Sequence, residues 1–389
     1  MAPSYKPVFL KKGKESSLAR YHKWIFSGAI REDDSQPADG DIVELFDHKG
    51  NYLATAHYQN SSIAARILTF RRQEINLEFW IDAITRAFDL RRKLGLENSD
   101  NTTGYRLVFG EGDSLPGLVI DWYAGAAIIQ THSTGMERSR ELIAEALLHI
   151  YGEKLHTVYY TSAGRKGDQA EGFLKGNTTG AWFRENGLEF YAHWQGGQKT
   201  GYFLDQRINR LILRDYVKDK MVLDAFSHAG GFAVNALKGD ARQVVILDSS
   251  RKAIKIAENN LLRNNYSNFE TKVGDALEYL QESDITFDVM VIDPPAFAKH
   301  ISSRHKAVQG YKRLNMLAMQ RIRQEGILFT FSCSQVVDRA LFENTIRAAA
   351  IESNRKIRIL EWLSQPADHP VDIFHPESSY LKGLVLVVQ

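Results

Sequence analysis

Apolar and polar positions divide the chain into three regimes. Up to about residue 72, short apolar runs recur at 6–10, 41–46, 52–56 and 63–68, separated by turn residues at 38–40 and 47–50. Runs of this length between Gly and Asp clusters read as strands of a small β domain. From 73 to 192 the pattern is mixed. Leu77, Trp80, Ile81, Ile84, Ala87 and Phe88 recur at helical spacing, so a helix is expected over 75–94, stopped by Gly95. Strands are expected at 106–109, 117–121, 126–129, 156–160 and 188–193, with a helix at 137–151. This α+β section holds no catalytic constellation, so its expected task is to orient substrate or brace the domains. From 193 onward strands and helices alternate, which predicts α/β architecture with a doubly wound, mostly parallel sheet.

The third regime is organised by residues 221–248. An apolar run ends at Asp224, a turn follows through Phe226, Ser227, His228, Gly230 and Gly231, a helical pattern spans 232–238, and a second apolar run ends at Asp248. Strand, glycine turn, helix and strand form a unit that binds an adenosine-bearing ligand at the carboxyl ends of its strands. Further strand ends hold Asp275, Asp293 and Cys333.

Composition narrows the class. Apolar residues make up 44% and charged residues 25% of the 389, the profile of a soluble globular protein. The formal net charge of +2 does not announce nucleic acid, and two local stretches bear on it, each open to the alternative of a solvated surface. The first 25 residues carry six basic side chains and one acid, and 299–313 (KHISSRHKAVQGYKR) has five basic residues, two histidines and no acid. Lys299, Arg304 and Lys306 in that stretch are expected to form a phosphate-contacting rim on a loop. A single cysteine excludes an intrachain disulfide and fits a reducing compartment. With no apolar run near the length of a membrane span, the expected location is cytoplasmic. No metal-ligand spacing stands out in the sequence.

Two cofactor classes fit the unit at 221–248. Dinucleotides prefer Gly-x-Gly-x-x-Gly, which is absent, and Asp224 would repel a pyrophosphate. An acid there suits the ammonium and sulfonium of S-adenosylmethionine. In that reading Asp224 and Arg207 meet the amino-acid end, Asp248 holds the ribose, and Asp275 with Ala276 meets the adenine edge. Phe226, Ser227 and Gly230 line the turn. The alternative is that these acids merely end strands and cap helices.

The chemistry is written at two later strand ends. Asp293-Pro294-Pro295-Ala296-Phe297 is a stiff turn that offers carbonyls and an aromatic to a planar base. Cys333 lies between two serines at the next strand end. C5 of a pyrimidine is a poor nucleophile until a thiolate adds at C6, whereas an exocyclic nitrogen needs no thiol. Cys333 therefore separates the two chemistries.

Taken together, residues 22–28 (HKWIFSG), 112–121 (GDSLPGLVID), 200–207 (TGYFLDQR), 226–232, 293–297, 331–334 (FSCS), 367–370 (ADHP) and 380–383 (YLKG) resemble the bacterial 23S ribosomal RNA cytosine-C5 methyltransferases of the large-subunit type. The resemblance implies an N-terminal β-rich PUA domain (1–72), a middle α+β domain (73–192) and a C-terminal class I, Rossmann-like methyltransferase domain (193–389). It implies ribosomal RNA as partner, no membrane, and relatives that often form homodimers. Cys333 corresponds to the nucleophile. Asp293 lies in the motif facing the target base, at the edge of the cofactor site, and Tyr202 falls among the cofactor contacts. Pro294, Pro295 and Phe297 are expected to meet the base. His228 departs from the tyrosine that the family often carries. A guanine-N methyltransferase on the same scaffold, or an RNA-binding assembly factor without turnover, are the alternatives.

Overall fold

The computed structural model describes residues 5–31, 37–162, 171–195 and 200–389. Gly196, Gly197, Gln198 and Lys199, near the start of the third regime of the sequence, lie outside the described residues. The chain divides into two compact units: Met1–Phe183 with Ala192–Tyr202 and Ala367–Ser378, and Arg184–Tyr191 with Phe203–Pro366 and Ser379–Gln389.

The first unit holds two five-stranded sheets. One has the order Lys6–Phe9, Ile42–Phe46, Tyr52–Tyr58, Ile63–Thr69, Trp24–Phe26. Its first pair is parallel and the others are antiparallel. Val8, Ile25, Val43, Leu45, Ala54, Ala56 and Ile67 form its core. Trp24–Phe26 is too short to show alternation, and it emerges as a strand only through pairing with Ile63–Thr69. The other sheet runs Glu171–Lys175, Thr157–Ser162, Ala126–Thr131, Leu118–Tyr123, Gly104–Phe109. Helix Leu77–Lys93 starts where the Asn76 side chain accepts from the Phe79 N–H, and it lays Trp80, Ile84 and Ala87 into the core of this sheet. The helix expected over 137–151 is two, Thr134–Arg138 and Arg140–Tyr151, the first capped by Ser133.

A returning segment, Ala367–Ser378, belongs to this unit. Arg91 is fully buried, holds Asp113 through two bonds of 2.5 and 2.7 Å, and donates to the Asp368 carbonyl at 2.6 Å. Asp368 in turn accepts from the Arg106 N–H at 3.0 Å. At Gly112 a Cβ would lie 1.9 Å from the Pro370 carbonyl oxygen, so only glycine lets the segment approach.

The second unit is built on a seven-stranded sheet: Phe269–Val273, Gln243–Asp248, Met221–Ala225, Phe287–Ile292, Ile322–Ser332, Lys382–Val388, Ile357–Leu363. The first five are parallel, and Lys382–Val388 is inserted antiparallel between its neighbours. Strand order reverses between Met221–Ala225 and Phe287–Ile292. A crevice opens at such a switch point, outside the carboxyl ends of the strands. Among the described residues, no helix is long and apolar enough to cross a membrane.

Candidate active site

The strand Met221–Ala225 delivers Asp224 to the switch point with 1% of its surface exposed. Its Oδ2 accepts from the Ala233 N–H at 3.0 Å, in the first turn of helix Gly231–Lys238. Burial pushes the Asp224 carboxyl up to about 8, with the Asp293 and Asp248 charges adding to the shift. At neutral pH the group is therefore mostly protonated until a cation comes near.

The turn after Asp224 is held in left-handed backbone at Phe226 (φ 62°), His228 (φ 47°) and Gly230 (φ 70°). Two non-glycine residues in that region store about 1–3 kcal/mol each, the strain expected where a backbone is shaped around a ligand. At Gly230 a Cβ would also meet the Ala257 Cβ at 2.8 Å. The turn is pinned by Ser227 N–H to Leu247 O at 3.1 Å and Gly230 N–H to Ser227 O at 2.8 Å. Asn260 donates to the Ala229 carbonyl at 2.8 Å from helix Arg251–Arg263. The Ser227 hydroxyl is buried and has no hydrogen-bond partner among the described residues, an orphan that a ligand in the turn would satisfy. His228 turns its ring edge-on to Phe203 with centroids 4.8 Å apart.

The other strand-end acids have local duties as well. Asp248 accepts from the His228 N–H at 2.9 Å on one oxygen and from the Ser250 N–H at 2.8 Å on the other. Each carboxylate oxygen keeps a further lone pair for a hydroxyl donor. Asp275 caps helix Ala276–Glu282 by accepting from the Leu277 and Glu278 N–H groups with Oδ1, beside buried Ala276. Capping and ligand binding are not exclusive for these two residues.

The strand Phe287–Ile292 presents Asp293, half-buried, whose Oδ2 accepts from the Gln206 side-chain amide at 2.9 Å. The Gln206 carbonyl is fixed by Asn209 at 2.6 Å, so the amide is oriented to donate. Arg207 is buried at the first residue of helix Arg207–Leu213. The adjacent strand Ile322–Ser332 ends at half-buried Cys333, whose Sγ lies 4.0 Å from the Pro294 carbonyl oxygen. The Ser334 hydroxyl donates to the Ala298 carbonyl at 2.5 Å, tying the two strand ends together. Pro294 is buried and Pro295 exposed, while the half-buried Phe297 ring rests against Tyr311 with centroids 4.6 Å apart.

Asp224, Phe226, Ser227, Gly230, Asp248, Asp293, Pro294 and Cys333 are thus carried by neighbouring strand ends of one sheet. Tyr202 belongs to the first unit, where its ring packs edge-on against Phe183 with centroids 5.1 Å apart. The basic stretch is helical rather than a loop: a single turn at Ile301–Ser303 leads into helix Arg304–Arg321. Lys299, Arg304 and Lys306 are exposed. Lys312 and Arg313 bind Glu352 at 2.6 Å and Gln281 at 3.1 Å.

Residues 106–385 match the S-adenosylmethionine-dependent methyltransferase family, and residues 8–70 match the PUA-like domain. The chain is 39% identical over 393 residues to "Ribosomal RNA large subunit methyltransferase I" of Aeromonas salmonicida, covering 97% of this chain and 98% of that protein. It is 40% identical over 394 residues to the protein of the same name from Aeromonas hydrophila, with the same coverage. This chain belongs to the ribosomal RNA large subunit methyltransferase I family. Its cofactor is S-adenosylmethionine, and its fold is a PUA-like domain joined to a class I methyltransferase. A solved SAM-dependent methyltransferase from Streptococcus mutans shares the fold, with a TM-score of 0.85 at 22% identity over 98% of this chain and 100% of that one. The fold also occurs in the SMU.776 methyltransferase crystallised with SAH.

Three side chains of this methyltransferase escaped the sequence reading. Gln206 orients Asp293. Lys382, on the inserted antiparallel strand, donates to the Ser334 carbonyl at 2.7 Å; burial pulls its ammonium down to about 8, against the opposing pull of the nearby Cys333 charge. Tyr311, fully buried behind Phe297, has its phenol pushed up to about 12 by burial. Gln206 and Lys382 stand inside motifs that carry the family resemblance, so position in a motif was the available signal. Tyr311 had none.

Proposed function

We propose that this methyltransferase transfers a methyl group to C5 of a cytosine in large-subunit (23S) ribosomal RNA through a covalent adduct of Cys333 at C6. The observation that carries the reading is the placement of the only thiol at the strand end next to Asp293 and the proline turn, with Sγ against the Pro294 carbonyl. A structural cysteine has no need of that position.

In this reading Asp224, Arg207 and the Ser227 hydroxyl hold the amino-acid end of the cofactor, Asp248 the ribose, and Asp275 with Ala276 the adenine. Gly230 and Phe226 shape the turn. The bound cofactor supplies an electrophilic methyl group on a sulfonium. The Cys333 thiolate forms a bond to C6, which raises electron density at C5. C5 would then accept the methyl group that the cofactor's sulfonium would supply, the electron pair of the broken S–C bond staying with the cofactor. Loss of the C5 proton to a base and departure of the thiolate restore the aromatic ring. Asp293, its outer oxygen held by Gln206, is positioned to bind N3 or the exocyclic amine, while Pro294, Pro295 and Phe297 form the wall of the base pocket.

Residues 1–72 serve as the RNA-binding module, 73–192 as the brace, and 193–389 as the catalytic domain. Lys299, Arg304 and Lys306 contact phosphate. Helix Arg304–Arg321 has no acid in its first turn, and its macrodipole disfavours cations there unless an anion is bound.

The experiment is incubation with 5-fluorocytidine-substituted ribosomal RNA, which traps the C5 step. A covalent complex that is lost in Cys333→Ala is the expected result. If Cys333→Ala methylates unmodified RNA at close to the unsubstituted rate, the nucleophile is wrong and a guanine-N reaction takes its place. Absence of any transfer to RNA from a strain lacking the protein, with RNA binding intact, would point to an assembly factor.

A further inference from the structure

The first unit gathers three side chains that the methyl-transfer chemistry does not use. His22 precedes the strand Trp24–Phe26, and His375 and Glu377 lie on the returning segment, in a tight turn and the single helical turn Pro376–Ser378. His22 Nε2 is 3.2 Å from Glu377 Oε1, and His375 Nε2 is 3.7 Å from Glu377 Oε2. One ligand atom from each residue lies within 4.8 Å of the others. We propose that His22, His375 and Glu377 bind a divalent transition metal of the zinc class, which clamps the returning segment to the N-terminal β module.

The second observation is His375 itself. The residue is 0% exposed, and among the described residues neither ring nitrogen has a hydrogen-bond partner. Buried polar atoms are nearly always satisfied, because one left bare loses the hydrogen bonds that water gave it. A metal ion accepts the lone pair that no protein donor meets.

The surroundings suit a cation. Glu377 and Glu111 both face His375, and Glu111 is steadied by the Trp24 indole N–H at 2.9 Å. The nearby Lys23 charge is matched by its pairing with Asp372. The Trp24 backbone holds the His22 ring in place: Nδ1 is 3.3 Å from both the Trp24 N–H and the Trp24 carbonyl, and this leaves Nε2 facing Glu377. Tetrahedral zinc with bonds of about 2.0–2.1 Å needs ligand atoms about 3.3 Å apart, a spacing that the two His–Glu377 contacts approach. Two imidazoles and one carboxylate leave a fourth position for water, which reaches the site along the part-exposed Glu377.

The test uses the full chain, stripped with a chelator and dialysed, and titrated calorimetrically with zinc chloride. One equivalent should bind, raise the melting temperature, and be replaceable by Co2+ with the visible absorption of a tetrahedral nitrogen–oxygen site. His22→Gln and His375→Phe should each weaken zinc binding by about 100-fold, the upper end of what disturbing a metal shell costs. Cys333→Ala, which removes the only thiol, should bind zinc as the parent does. Retained binding of S-adenosylmethionine reports that each variant is folded, and His22→Gln decides the matter should His375→Phe fail that check. Absence of stoichiometric binding, or equal binding by the His22→Gln protein, overturns the site.

Discussion

Asp224 is the group whose perturbation reads most directly on the cofactor site. Its carboxyl is pushed up to about 8 by burial, and a bound sulfonium and ammonium would draw it back toward the ordinary range. Binding then expels a proton. At pH 7 about nine-tenths of the free protein carries that proton, so about 0.9 should be released per cofactor bound. Below pH 8 the dissociation constant should rise about tenfold per pH unit, reaching about 100-fold at pH 6. The assay is titration calorimetry in two buffers of different ionisation enthalpy, repeated from pH 6 to pH 9. The ligand's own α-amino group titrates nearby, so the readout is the difference between the parent and Asp224→Asn. The variant should bind more weakly at pH 8 and release less proton at pH 7. Stability moves the other way. A carboxyl with a raised folded pKa costs nothing below its unfolded value of 3.8, and the cost grows as pH rises toward about 8. Cofactor-free Asp224→Asn should therefore melt higher than the parent at pH 8, with the gap closing toward pH 4. Equal proton release by parent and variant, or a variant less stable at pH 8, would refute the reasoning.

Three further outcomes are expected. Arg210 forms a buried bidentate pair with Glu185 at 2.6 Å for both bonds, so Arg210→Met should cost about 3–5 kcal/mol in urea unfolding, and adding Glu185→Leu should recover much of it. A loss under about 1 kcal/mol would mean that the pair is solvated. Replacing Lys299, Arg304 and Lys306 together by Gln should lower the slope of log affinity against log salt by about 2 in RNA binding, while cofactor affinity holds; an unchanged slope removes them from the phosphate rim. Lys382→Met removes a cation beside Cys333, so alkylation of the thiol at pH 7 should slow and its pH profile should shift upward; an unmoved profile would leave Lys382 as a strut for Ser334 only.

Much of the catalytic domain was legible along the chain because its signals are local. Apolar runs that stop at Asp224, Asp248 and Asp293 are buried parallel strands, and such runs differ from helical stripes in length and spacing. The signal failed where pairing rather than pattern makes the strand. Glu171–Lys175 lies at a sheet edge with every residue half-buried, and so carries no alternation. It failed again at 299–313, where charge suggested a loop and the chain forms a helix, because Lys and Arg are good helix formers when their stems lie along the surface.

By itself the sequence determined which residues stand at the strand ends and what chemistry they can perform, since strand, turn and charge are properties of neighbouring residues. Only the tertiary structure decided who meets whom. Insertion of Lys382–Val388 antiparallel beside Ile322–Ser332 brings an ammonium to the Ser334 carbonyl, and the same sheet sets the Cys333 thiol against Pro294. Burial in three dimensions, not the residue type, takes the Asp224 carboxyl to about 8. Return of Ala367–Ser378 to the first unit sets Glu377 beside His22, 355 residues away along the chain. Contacts at that separation are paid for by the cooperative burial of whole elements, and no local pattern encodes them.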